Sequence, residues 1–289
     1  MRITPIMRTS KIALVHIPKT GGTTLGSLIF DQTRSDETFF FSFFGRDASA
    51  GANRIVVERL RKGDEDYRAL MENRHFLESR VITGHFSHDL RNVLDDFSLQ
   101  FAAVLREPVD RCISNIYQYT VESKDRCRFG KFEVPSKTKS PEAYWAEMHY
   151  ILSWYRGRPI PGLLPHESMM LNNGMCHLIG GTGLYAFSPE IDCERALENP
   201  DFKFALFERF NETCGALMRE VGLEVRLDEE TNPGGIGNPL GNLNHPRYFG
   251  APEEMLELVR SLNQHDLRLY RIVTEEQRYA RPASSSKMR

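Results

Sequence analysis

The stretch from Lys11 to Thr24, Lys-Ile-Ala-Leu-Val-His-Ile-Pro-Lys-Thr-Gly-Gly-Thr-Thr, restricts the fold more than any other part of this chain. Ile12 to Ile17 is mostly apolar and rich in β-branched residues, which predicts a strand buried on both faces. Pro18 has no N–H and ends the ladder. Gly21 and Gly22 let the backbone come close to a ligand. Thr23, Thr24 and Leu25 then open a helix whose unpaired N–H groups point back at the turn. A strand, a glycine turn and a helix N-terminus in that order make a cradle for an anion, with Lys19 beside it. The plain alternative is a Gly-Gly turn next to a surface lysine.

The position of the lysine narrows the cradle. A Walker A loop reads G-x-x-x-x-G-K-[ST], with lysine after the glycines. Here Lys19 precedes them, so this is not the usual nucleoside-triphosphatase loop.

Strand-like runs recur at Ile12–His16, Val81–Thr83, Phe101–Leu105 and Phe202–Phe207, with helical stretches between them. Helices are expected at Thr23–Phe30, at Val57–Leu77, at Asn211–Val221 ending near Gly222, and at Glu253–Val273 as one or two pieces. The alternation predicts an α/β chain: a P-loop-like, three-layer fold with a central, mostly parallel sheet flanked by helices. A length of 289 residues fits one domain over residues 1–289. Glu122–Lys139 is polar and basic and reads as a solvated loop, the alternative being a surface for an anionic acceptor. Asn232–Asn244, rich in Gly, Pro and Asn, reads as an irregular segment suited to a lid.

A formal charge of −2 gives no argument for attraction to nucleic acid or to a membrane surface. No apolar run approaches the roughly 20 residues needed to span a bilayer, and the first residues make a poor signal peptide. Five cysteines (Cys112, Cys127, Cys176, Cys193, Cys214) are scattered without a C-x-x-C pair. That pattern suits a reducing cytoplasm and argues against a zinc site or a disulfide framework. Cytoplasmic location is therefore expected, and nothing in the sequence sets an oligomeric state.

A second segment, Phe101-Ala-Ala-Val-Leu-Arg-Glu-Pro-Val-Asp-Arg-Cys-Ile-Ser114, reads as a buried strand, a tight exit and a helix. Pro108 suits the first helical turn and Asp110 the positive end of the helix dipole. Arg106 stands at the strand end, and Ser114 follows about two turns into the helix. A guanidinium fork and a hydroxyl converging there suit a phosphate monoester. The competing reading is an arginine that only braces its own loop through Glu107 or Asp110.

The two segments together resemble the PAPS-dependent sulfotransferases, which use 3′-phosphoadenosine-5′-phosphosulfate. Pro18-Lys-Thr-Gly-Gly-Thr-Thr24 is similar to their 5′-phosphosulfate loop, and Arg106-Glu-Pro-Val-Asp-Arg-Cys-Ile-Ser114 to the R-(D/E)-P-x-x-R-x-x-S segment that holds the 3′-phosphate. The nearest likeness is to the heparan sulfate 2-O-sulfotransferase-like branch (sulfotransferase family 2) and its bacterial relatives. Weaker similarity runs through Leu206-Phe-Glu-Arg-Phe-Asn-Glu212 and the closing helices. Glu107 in place of the commoner aspartate is a mild departure.

The resemblance implies PAPS as co-substrate, released as adenosine 3′,5′-bisphosphate, with no metal. It implies that Lys19, Thr20, Gly21, Gly22, Thr23 and Thr24 hold the phosphosulfate and that Arg106 and Ser114 grip the 3′-phosphate. A third segment, Val81-Ile-Thr-Gly-His-Phe-Ser-His88, ends a short strand in Gly-His, and the branch has a Gly-His at the corresponding place. That makes His85 the expected catalytic base, a task its ordinary pKa suits; Lys19 is the second catalytic residue expected. His16 and His88 are its competitors, and His16 reads better as packing or orienting the cradle.

In each of the three segments the expected site residues lie just past the end of a strand of the expected sheet, which is where open α/β sheets collect ligands. The activity expected is transfer of a sulfuryl group to an acceptor hydroxyl by in-line attack. The acceptor is expected to be a carbohydrate or another small molecule, without nucleic acid. Tyr144, Trp145, Tyr150, Trp154 and Tyr155 suit either sugar stacking or a helix core, and core is the simpler reading. The alternatives are an ATP- or GTP-dependent phosphotransferase with an atypical loop, and a non-catalytic nucleotide- or glycan-binding protein.

Overall fold

The computed structural model describes residues 10–32, 37–41, 60, 62–117, 128–129, 132–133, 141–156, 158, 160, 168, 170–180, 202–224, 227 and 251–279. Through its centre runs β1 (Ser10–Val15), flanked by β3 (Val81–Gly84) and β4 (Ser98–Leu105). Outside these lie β2 (Thr38–Phe41) beside β3 and β7 (Phe202–Leu206) beside β4, and every pair in this sheet is parallel. The order β2-β3-β1-β4-β7 places Val15 level with both Gly84 and Ala103, so three strands end side by side.

Alternation along the strands feeds two layers of helix, as the period-two geometry of a strand requires. Ile12 and Leu14 face α1 (Gly22–Gln32) and α8 (Phe210–Glu220), packing with Leu25, Ile29, Cys214 and Leu217. Ala13 and Val15 face the other way, into a core shared with α2 (Glu65–Glu72), α3 (Arg74–Glu78), α7 (Gly174–Gly180) and α10 (Gln264–Tyr279). A third apolar cluster joins α5 (Pro108–Tyr117), α6 (Pro141–Tyr155) and α9 (Glu253–Leu262) around Trp145. The expected α/β architecture, a parallel sheet between helical layers, is present. Among the described residues no helix is long and apolar enough to cross a membrane.

Several sequence expectations needed correction. The single helix expected over Val57–Leu77 is two helices. Asp64 accepts from the Tyr67 amide to start α2, and Asn73 accepts from Phe76 to start α3. Two side-chain caps within ten residues are incompatible with one continuous helix. The edge strand β2 was not anticipated, because four residues are too few to show a period. The strand expected to reach Phe207 stops at Leu206, where Phe207–Arg209 turns as a short 3-10 helix. Within Glu122–Lys139, β5 (Arg128–Phe129) and β6 (Phe132–Glu133) pair antiparallel, so that segment is not all loop. Asn232–Asn244, Cys127 and Cys193 lie outside the described residues; Cys112, Cys176 and Cys214 are buried thiols. A short α4 (Leu90–Val93) completes the helices among the described residues.

Lys11 is a charged residue inside the sheet. Its side chain is fully buried, and Nζ donates to the carbonyls of Phe76 (2.7 Å), Leu77 (3.1 Å) and Ser79 (2.5 Å). The ammonium thus closes the C-terminal end of α3, between the rings of Phe76 and Phe97 at 4.9 and 5.1 Å. Lys11→Met keeps most of the volume but leaves the Leu77 and Ser79 carbonyls without this donor, while the Phe76 carbonyl keeps the Ser79 hydroxyl, and is expected to cost about 2–4 kcal/mol in urea unfolding. Burial pushes Lys11 down to about 8. The unfolded chain therefore keeps this proton to higher pH than the folded one, and deprotonation favours folding. The gap between wild type and variant should widen as pH rises from about 8 toward 10.5.

Candidate active site

The loop leaving β1 is bent by two residues of left-handed backbone, Lys19 (φ 67°) and Gly21 (φ 81°). For glycine this is free; for Lys19 it costs on the order of 1 kcal/mol or more, strain of the kind that collects at functional sites. The Thr20 hydroxyl is fully buried and donates to the Ile17 carbonyl at 2.9 Å, tying the loop to the strand end. That hydroxyl is therefore committed to the loop, and what Thr20 offers a ligand is its backbone. The Gly21 carbonyl accepts from the Leu25 amide at 3.0 Å, so α1 starts at once. No acidic side chain stands in the first turn of α1 to offset the positive end of its dipole. Gly22 and Thr24 are buried there, and Thr23 lies between them.

One strand away, His85 follows Gly84. Gly84 has φ 152°, and a Cβ there would run into the Phe41 carbonyl, so this position takes only glycine. His85 Nδ1 lies 2.7 Å from the His16 carbonyl. A carbonyl can only accept, so Nδ1 carries the proton and Nε2 the lone pair. The rings of His16 and His85 stack with centroids 4.3 Å apart and planes at 21°. Burial pushes His85 below the ordinary histidine value, against the bond to the His16 carbonyl. Burial and the neighbouring His85 push His16 well below it too. His88, the other competitor, packs edge-on to Phe101 at 4.7 Å and belongs to the core side.

On the other flank of β1, Arg106 Nη1 donates to the Lys19 carbonyl at 3.2 Å. The guanidinium also lies 4.5 Å above the Phe207 ring, and a Cβ at Gly21 would touch that same ring at 3.0 Å. Phe207 is thus a shared floor under the lysine–glycine loop and the arginine. Burial works against the Arg106 charge, while Asp110, Glu208 and Glu107 support it. Glu107 caps α5 by accepting from the Asp110 amide at 2.8 Å, the part an aspartate would play there. Ser114 is 5% exposed and makes no side-chain hydrogen bond with the described residues.

The sheet therefore brings Lys19, Thr20, Gly21, Gly22, Thr24, Arg106 and His85 to three neighbouring strand ends, with Ser114 farther along α5. Sequence reasoning missed Phe207 and Glu208. Glu208 accepts from the Glu107 amide at 2.7 Å and from the Tyr270 hydroxyl at 2.8 Å, fastening α5 and α10 to the end of β7. The signal lay in Leu206–Glu212, singled out as a stretch but not by residue. On α6 the five aromatics divide: Trp145 is buried, whereas Tyr150 (52%) and Trp154 (69%) are exposed, their rings stacked at 6.2 Å.

No protein-family model matches the chain, and no curated protein matches it. Among solved structures it is similar to mouse sulfotransferase SULT7A1 complexed with PAP, at 12% identity over 94% of this chain and 89% of that one, with a TM-score of 0.46. A likeness of that size carries no weight for function, which rests on this chain's own residues.

Proposed function

We propose that this protein transfers a sulfuryl group from PAPS to an acceptor hydroxyl, with a carbohydrate as the favoured acceptor class. The observation that carries this reading is the meeting of two features at adjacent ends of β3 and β1. One is a histidine with its lone pair assigned to Nε2; the other is a strained lysine–glycine loop opening a helix without an acidic first turn.

In this scheme Lys19 and the amides of Thr20 to Thr24 hold the 5′-phosphosulfate. Arg106 and Ser114 hold the 3′-phosphate, which must compete with the Lys19 carbonyl for the guanidinium. His85 Nε2 takes the acceptor's proton as its oxygen attacks sulfur. The sulfur–oxygen bond to the 5′-phosphate breaks, and its electron pair stays on the phosphate oxygen, where Lys19 and the amides stabilise it. The products are a sulfate ester and adenosine 3′,5′-bisphosphate. A carbohydrate is favoured because the loop and clamp segments resemble those of the heparan sulfate 2-O-sulfotransferase-like branch.

Adenosine 3′,5′-bisphosphate should raise the melting temperature far more than AMP, or than ATP with Mg²⁺. Arg106→Ala should abolish the preference over AMP, with a loss of about 10–100-fold in affinity for the bisphosphate. Equal shifts with AMP would overturn the 3′-phosphate assignment. A larger shift with ATP and Mg²⁺ would favour a phosphotransferase. Tight bisphosphate binding with no labelled product from PAPS across a panel of sugars and small alcohols would favour a non-catalytic binding protein.

A further inference from the structure

We propose that His16 is a positioning residue: its ring and its own carbonyl hold His85 in one orientation and one tautomer, in a space that Gly22 keeps open. The proposal rests on the reading of His85 as the base only in its kinetic half.

The geometry follows from the register. Val15 is level with Gly84, and the His16 amide continues the ladder by donating to the Gly84 carbonyl at 2.8 Å. The next residue on each strand is a histidine, and neighbouring parallel strands set registered side chains next to each other on one face. The two rings accordingly stack at 4.3 Å, with planes 21° apart. One residue thus supplies both restraints: the carbonyl fixes which nitrogen of His85 is protonated, and the ring fixes the plane in which His85 lies.

Gly22 supplies the third part. A Cβ at Gly22 would run into Cδ2 of the His16 ring, so the first residue of α1 must be small for the stack to form. The same ring therefore touches the start of the phosphate cradle on one side and the base on the other. Burial pushes both histidines below the ordinary value, and the neighbouring His85 pushes His16 down further, so the environment favours neutral rings that lie face to face without repulsion.

The test compares His16→Ala and His16→Phe with wild type. Nitrogen-15 shifts of the His85 imidazole, recorded on the nucleotide-free protein, report the tautomer. Wild type should show His85 protonated at Nδ1. The backbone carbonyl remains in His16→Ala, but without the stacked ring His85 can turn out of line with it, so that variant should give a mixture with the Nε2-protonated form and a turnover at least 10-fold lower, with affinity for adenosine 3′,5′-bisphosphate within threefold. His16→Phe, which restores a ring for stacking, should recover the tautomer and most of the turnover. Unchanged His85 shifts in a folded His16→Ala variant would overturn the proposal, as would an altered tautomer with unchanged turnover. If wild type transfers no sulfuryl group at all, the proposed function fails and the nitrogen shifts alone decide the role of His16. Should His16→Ala fail to fold, His16→Leu supplies bulk without a ring, and the same two readouts decide.

Discussion

Replacing His85 with alanine should lower sulfuryl transfer about 10²–10⁴-fold, the range for loss of a general base, while binding of adenosine 3′,5′-bisphosphate stays within about threefold. The separation follows from position: the cradle belongs to the β1 exit and α1, whereas His85 belongs to the β3 exit and meets that loop through His16. Single-turnover kinetics with labelled PAPS and equilibrium binding of the bisphosphate measure the two halves independently. The pH dependence has a definite sign. Burial pushes His85 below the ordinary histidine value, so the neutral, proton-accepting form survives to lower pH. The acid limb of the rate profile should lie below the value of an exposed histidine and vanish in the alanine variant. Unchanged turnover in His85→Ala would remove this residue from the mechanism.

The second large effect falls on stability. Asp266→Ala should destabilise the protein by about 3–5 kcal/mol, the cost of leaving a buried partner charge uncompensated. Asp266 and Arg111 both have fully buried side chains, and Arg111 Nη2 donates to the Asp266 carboxylate at 3.2 Å. The same carboxylate accepts from the Met175 and Cys176 amides at 3.0 and 2.8 Å, so it also closes the start of α7. Arg111 Nη2 lies 3.4 Å from the Asn263 side-chain oxygen, which in turn accepts from the Asn173 amide at 3.0 Å. One carboxylate thus joins α5, α7 and α10. Against a total stability of about 5–15 kcal/mol, its loss is severe. Urea unfolding should show it directly. Replacing both partners, as Arg111→Met with Asp266→Leu, should cost less than the single change, because no charge is then stranded. A cost below about 1 kcal/mol for Asp266→Ala would mean that water reaches Arg111 and replaces the carboxylate.

Much of the fold was legible along the chain, because the informative patterns are local. The run from Ile12 to Ile17, the glycines at 21 and 22, and Pro108 after Arg106 each act within a few residues, through backbone freedom and burial. Four of the five strands of the main sheet, and the turns leaving β1, β3 and β4, followed from them. What failed was what has no local period: β2 is too short, and the break between α2 and α3 rests on caps at Asp64 and Asn73 inside an otherwise helical pattern. Phe207 gave no signal of its role because its partners, Gly21 and Arg106, are far away in sequence.

The lysine-before-glycine turn of Lys11–Thr24 was set by the sequence itself: residue order alone dictates a strand, a bend with left-handed glycine and a helix start. Tertiary structure decided which strand ends become neighbours. Placing β1 between β3 and β4 puts His85 against His16 and Arg106 against Lys19, pairings 69 and 87 residues apart. It also paired Arg111 with Asp266 across 155 residues and buried Lys11 beneath α3. Such pairings carry no spacing rule, because parallel neighbours are chosen by how the two faces of the sheet pack their helices, and that packing exists only once the chain has folded.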